Sequence, residues 1–85
     1  MILVTGASGL VGSHLLCELT QEAPIVRALY RSENRKQDTK EIFNFYFKEK
    51  AELFFNKIEW IQGDILSLTD LALMFVDITH VYHCA

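Results

Sequence analysis

Residues 1–12 read Met-Ile-Leu-Val-Thr-Gly-Ala-Ser-Gly-Leu-Val-Gly, an apolar run that breaks into a turn with glycines at 6, 9 and 12. A short, continuous apolar run is the signature of a parallel strand buried on both faces. The turn then opens a helix whose expected apolar stripe is Leu15, Leu16 and Leu19. A strand, a glycine turn and a helix in this order aim backbone N–H groups and the positive end of a helix dipole at one point. Such a point attracts a phosphate or pyrophosphate.

Each glycine has a separate physical task. Gly6 allows the sharp reversal at the carboxyl end of the strand, where a Cβ would be strained. Gly9 removes a side chain where backbone would approach a pyrophosphate, and Gly12 lets the new helix lie tightly against the sheet. The spacing is G-x-x-G-x-x-G, and no Gly-Lys-Ser/Thr follows as a Walker A loop requires. A tight turn with no ligand satisfies the same three glycines, so other parts of the chain must decide between the two.

Eighty-five residues make one small domain at most, and with 51% apolar residues the chain can form a core. A chain of this size buries only about 60% of its unfolded surface, which leaves stability marginal. The net charge of −3 and the lack of a basic stripe argue against nucleic acid as a partner. No apolar run approaches the roughly 20 residues of a membrane span, and the start of the chain does not read as a signal peptide. Cys17 and Cys84 have neither C-x-x-C nor zinc spacing and read as reduced thiols. A cytoplasmic location is the expectation that follows.

Strand and helix patterns alternate along the chain, which implies a parallel sheet with crossover helices. Strands are expected at about 1–5, Ile25 to Tyr30, Lys57 to Gln62 and Thr79 to Cys84, with Val81 and Cys84 buried. Helices are expected at about 10–22, from about Thr39 towards the third strand, and at about Leu68 to Val76. Arg31 to Lys40 carries no apolar residue and reads as a surface loop. Ile42, Phe43, Tyr46 and Phe47 recur at helical spacing, either to pack on the sheet or, with Phe45 off the stripe, to meet a partner. In the last helix Leu68, Leu71, Ala72 and Phe75 form one face, and Ser67 with Asp70 resembles a capping box. Right-handed crossovers give the strand order 3-2-1-4. The fourth strand is then an apolar edge, so the chain is expected to be the amino-terminal piece of a longer protein, prone by itself to self-association.

Thr5-Gly6-Ala7-Ser8-Gly9-Leu10-Val11-Gly12 resembles the T-G-x-x-G-x-x-G signature of the extended short-chain dehydrogenase/reductases, the NAD-dependent epimerase/dehydratase family. The likeness continues through Gly63-Asp64-Ile65 and Val81-Tyr82-His83-Cys84-Ala85, three blocks in the correct order along the whole chain. The resemblance implies an α/β fold, the amino-terminal half of a Rossmann-like doubly wound parallel sheet, interrupted after strand 4. It also implies a dinucleotide as the small-molecule partner.

Within that frame the pyrophosphate falls to the Gly6–Gly12 turn, with Ser8 beside it and the N–H groups of Leu10 and Val11 as donors. The ribose anchor belongs near the end of strand 2, where an acid favours NAD and an arginine accommodates the 2′-phosphate of NADP. Arg31 stands nineteen residues after Gly12, followed by Ser32, with Arg35 and Lys36 nearby. NADP(H) is therefore favoured over NAD(H). The resemblance assigns Asp64 and the N–H of Ile65 to the adenine, and the backbone of Cys84 and Ala85 to the ribose and nicotinamide side. His83 reads equally as a contact or as a core histidine.

The family's Tyr-x-x-x-Lys pair, in which the lysine lowers the pKa of a proton-transferring tyrosine, finds a match by letter at Tyr46 and Lys50. That pair precedes the third strand, on the wrong part of the fold, and no catalytic residue is expected in this chain. The reading that results is the dinucleotide-binding portion of an oxidoreductase or nucleotide-sugar epimerase/dehydratase, a homo-oligomer in its full-length form. The alternatives are an NADP-binding redox sensor without catalysis and a fragment with no function of its own.

Overall fold

A computed structural model describes residues 1–31, 33–63, 72 and 74–84 of the chain. Four strands form one parallel sheet in the order β3-β2-β1-β4, where β1 is Ile2–Thr5, β2 Val26–Tyr30, β3 Ile58–Gln62 and β4 His80–His83. The register sets Leu3 beside Arg27 and Val81, and Ala28 beside Trp60. With parallel pairing and this order, the sheet is Rossmann-like and matches the expected topology.

Helix α1 spans Leu10–Glu22 and ends at Ala23, whose N–H reaches the Leu19 carbonyl at 2.8 Å. Pro24 follows, with no N–H to continue the ladder. The buried stripe is Gly12, Ser13, Leu16, Cys17 and Thr20, rotated from the expected Leu15, Leu16 and Leu19. Close approach at Gly12 turns small residues inward and leaves Leu15 and Leu19 half-buried on the flank. The Thr20 hydroxyl is satisfied by donating to the Leu16 carbonyl at 2.8 Å.

Between β2 and β3 the structure corrects the expectation of a loop. Helix α2 runs from Glu33 to Phe47, so Arg35, Lys36 and Lys40 lie on a helix and not in a surface loop. Its first half is rich in strong helix formers whose long side chains keep rotamer freedom in water, and polarity alone does not break a helix. A left-handed Lys48, at φ 52°, ends it, and a 3₁₀ turn over Lys48–Lys50 leads into α3, Ala51–Phe55.

Helices α1, α2 and α3 cover one face of the sheet around Val4, Leu16, Val26, Ala28, Phe43, Ala51 and Ile58. Phe43 is fully buried and meets Phe55 edge-on at 5.4 Å and Phe47 at 5.6 Å. The aromatic stretch is therefore mainly core, with Phe45 and Tyr46 on the outside.

Leu3, Leu29 and Met74 pack on the opposite face, flanked by Ile61 and Ile78. Arg27 is also buried here. Its Nε donates to Glu59 Oε1 at 3.1 Å, and its Nη1 donates to the carbonyls of Met74 and Val76 at 2.9 and 2.7 Å. A buried guanidinium is tolerated only when so partnered.

Most of the helix expected over Leu68 to Val76, with its capping box at Ser67 and Asp70, lies outside the described residues. Within it Ala72 and Phe75 are exposed while Met74 is buried, because the chain turns at residues 75–77 and the helical stripe ends there. Val81, expected in the core, is also exposed, since β4 is an edge among the described strands.

Candidate functional site

The strands of the sheet all run the same way, so their carboxyl ends open onto one common rim. A cavity of about 460 Å³ lies there, lined by Thr5 from β1, Tyr30 from β2, Gly63 after β3 and His83 from β4. In open α/β sheets ligands bind in such a crevice, where neighbouring strands leave their helices on opposite sides. The order β3-β2-β1-β4 reverses direction between β1 and β4, beside Gly6.

The glycine turn is shaped by backbone sterics. Gly6 has φ 65°, and a Cβ there would stand 1.5 Å from the carbonyl oxygen of Cys84. The close passage comes from the sheet itself, for the Cys84 N–H donates to the Thr5 carbonyl at 2.9 Å. Gly12 is equally constrained, since its Cβ would lie 2.3 Å from the Gly6 carbonyl oxygen and 2.8 Å from Ala7 Cα. It thus packs the helix against the turn, a nearer neighbour than the sheet, and does not line the cavity. Gly9 differs: its nearest neighbour would be the Gly6 oxygen at 3.4 Å, an ordinary contact.

Gly9 also caps α1 without a side chain, and no acidic residue occupies the first helical turn. The first N–H groups of a helix have no intrahelical acceptor, so this end of α1 keeps its positive character. Leu10 and Val11, expected at the site, lie in that turn with their side chains in solvent and do not line the cavity.

Of the residues expected at the site, Gly6, Ser8, Gly9, Arg31 and Cys84 line the cavity, joined by Arg35 from the second helix. Ser32, Asp64, Ile65 and Ala85 lie outside the described residues. Gly63, the first residue of the Gly-Asp motif, reaches the rim and donates its N–H to the Tyr30 carbonyl at 3.1 Å. The cavity thus brings an open glycine at a helix start together with two arginine residues.

Three features of the site escaped sequence reasoning. His83 is exposed and lines the cavity, so it is not a core histidine, and its Nδ1 lies 2.5 Å from Thr5 Oγ1. Tyr30 donates its hydroxyl to Glu33 Oε1 at 2.8 Å, and that bond, with burial and the carboxylate's charge, raises the phenol's pKa above its usual 10.0. Ser13 Oγ donates to the Ala7 carbonyl at 3.2 Å and shares a 2.8 Å bond with Thr39 Oγ1, joining the turn to α2. Ser13 stands four residues before Cys17 and Thr39 four before Phe43, so each extends a buried helical stripe by one turn.

Tyr46 sits away from this rim. Its hydroxyl is 3.0 Å from His14 Nε2, and with Phe45 and Ile42 it borders a second, shallow cleft. Cys17 is buried in α1, and burial pushes its thiol up to about 11. Among the described residues no cluster could hold a metal ion, and no helix is long and apolar enough to cross a membrane.

Residues 2–85 match the family model described as the NAD dependent epimerase/dehydratase family. No curated protein matches the chain.

Proposed function

The chain belongs to the NAD dependent epimerase/dehydratase family, and from that premise we propose that the cavity at the strand ends binds NADP(H) in preference to NAD(H). The family's members depend on NAD(P), so the class of ligand follows from membership, and the phosphate preference rests on the arginines. Arg31 and Arg35 both line the cavity. A planar guanidinium binds a phosphate dianion through two parallel hydrogen bonds, which a ribose hydroxyl cannot match. That pair of arginines is the single observation that carries the reading.

The remaining residues divide the ligand between them. The Gly6–Gly12 turn, with Ser8 and the N–H groups of Leu10 and Val11, holds the pyrophosphate. Asp64 and Ile65 take the adenine, Ser32 assists the ribose phosphate, and the backbone of Cys84 and Ala85 follows the ribose towards the nicotinamide. When bound, the dinucleotide supplies a hydride donor or acceptor. The chain's own contribution is to bind, orient and neutralise. Residues 1–85 act in this reading as the amino-terminal portion of a dinucleotide-binding domain in an oxidoreductase or epimerase/dehydratase.

Titration with NADPH and NADH tests the proposal. Arg31→Asp should weaken NADPH binding by about 1.5–3 kcal/mol, the scale of a hydrogen bond to a charged group. NADH binding should change little. Equal losses for the two cofactors would overturn the phosphate preference.

A further inference from the structure

Away from the strand ends, α1 and α2 border an open cleft of about 440 Å³, lined by His14, Asp38, Glu41, Ile42, Phe45 and Tyr46. Residues 38, 41, 42 and 45 follow the spacing of one helix face, so the cleft runs along α2 with His14 of α1 beside it. Nothing in the folding of the chain calls for this set of residues. Phe45 is 75% and Tyr46 53% exposed, which leaves two aromatic rings in water. Asp38 and Glu41 are like charges at i and i+3, neighbours on the helix surface that repel each other.

Charge on α2 is segregated. Arg35 lines the cavity at the strand ends, Lys36 stands over the Tyr30 and Trp60 rings, and Lys40 lies over the Phe55 ring. Among the described residues the carboxylates of Asp38 and Glu41 form neither a hydrogen bond nor an ion pair. The aromatic side of the cleft is held in place. His14 Nδ1 donates to the Leu10 carbonyl at 2.8 Å, so its Nε2 accepts the Tyr46 hydroxyl at 3.0 Å. Tyr46 in turn meets Phe45 edge-on at 5.2 Å. Carboxylates beside held aromatic rings, with no lysine or arginine among the lining residues, are the complement of a guanidinium on an aliphatic stem. That group pairs with carboxylates through parallel hydrogen bonds and lays its flat face on an aromatic ring.

We propose that this cleft is a docking site for an arginine-bearing segment of a partner protein. Charge complementarity carries the proposal: the cleft offers the Asp38 and Glu41 carboxylates and the Phe45 and Tyr46 rings, and its positive half comes from the partner. Arginine suits the site better than lysine, whose ammonium is strongly hydrated and has no flat face to stack. The site is independent of dinucleotide binding, since it shares no lining residue with the cavity at the strand ends.

Titration of the full chain with the peptide acetyl-Ala-Arg-Leu-Arg-Ala-amide, followed by nuclear magnetic resonance, tests it. The resonances of His14, Phe45 and Tyr46 should shift and saturate. Replacing both arginines of the peptide by citrulline keeps their shape and removes the charge, and saturation at the same concentrations should be lost. Asp38→Asn combined with Glu41→Gln should weaken the arginine peptide about tenfold, the scale of two exposed ion pairs. Both positions are exposed, so the variant should keep the native circular dichroism. Shifts confined to other residues, equal binding of the citrulline peptide, or undiminished affinity in the double variant overturns the proposal. Shifts of the same three residues on raising the protein concentration alone would assign the face to a second copy of the chain, and overturn it too.

Discussion

The glycine turn and the arginine rim border the same cavity but are built by different physics. The turn is decided by excluded volume: Gly6 and Gly12 leave no room for a Cβ against the Cys84 and Gly6 carbonyls. Its geometry is a property of the backbone, insensitive to charge or pH. The rim depends on side chains from β2 and α2, where Tyr30, Glu33 and Lys36 hold one another through a hydrogen bond, an ion pair and ring contacts. The first geometry is fixed by backbone, the second by hydrogen bonds and charge between side chains.

The largest effect expected from breaking this contrast is at Gly6. Gly6→Ala adds a Cβ 1.5 Å from backbone at a left-handed φ, so β1 and β4 cannot keep their spacing. It should cost about 3–5 kcal/mol in urea unfolding, at the upper end for single substitutions. A loss below about 1 kcal/mol would show that the turn yields easily.

Next in size is the link between the two regions. Thr39→Val removes one hydroxyl of the buried pair that ties Ser13, and through it the Ala7 carbonyl, to α2. A loss of about 1–2 kcal/mol is expected. Ser13→Ala combined with it should cost less than the sum of the two, because the residues share one network. Strict additivity would mean that turn and rim are independent.

Gly9→Val should cost about 1 kcal/mol or less in stability, since the position is sterically open and loses only a favourable cap residue. It should nonetheless abolish dinucleotide binding, by filling the space a pyrophosphate needs. Native circular dichroism with undiminished affinity would make Gly9 a purely structural turn residue.

The effect confined to alkaline pH concerns Cys17, which belongs to α1. Its folded pKa is raised from 9.0 to about 11 by burial. Above pH 9 the unfolded chain releases the thiol proton while the folded chain retains it, so folding stability falls as pH rises from 9 through about 11. Tyr30, also raised, acts in the same direction. Urea melts across this range should be shallower in pH dependence for Cys17→Ala than for wild type.

Legibility followed the same division. The strand order, the reversal at Gly6 and the start of α1 were all readable, because they rest on period and on the absence of a Cβ. The amino-terminal half of α2 was not, for Glu33 to Lys40 is polar nearly throughout, with only Thr39 turned to the core. Phe45 and Phe43 look alike in sequence, yet one is 75% exposed and the other fully buried. Arg27 interrupts an otherwise apolar strand, and nothing nearby in the chain announces its partners at Glu59, Met74 and Val76.

Sequence by itself therefore determined the parallel sheet, its order and the place of the glycine turn. Those follow from local sterics, apolar periodicity and the handedness of crossovers, which a chain carries in its residue spacing. Tertiary structure alone decided the membership of the cavity, the burial of Arg27 and the direction of Glu33. A charged or hydroxyl side chain acts through whatever group folding brings within about 3 Å, and here those groups lie up to 78 residues away along the chain.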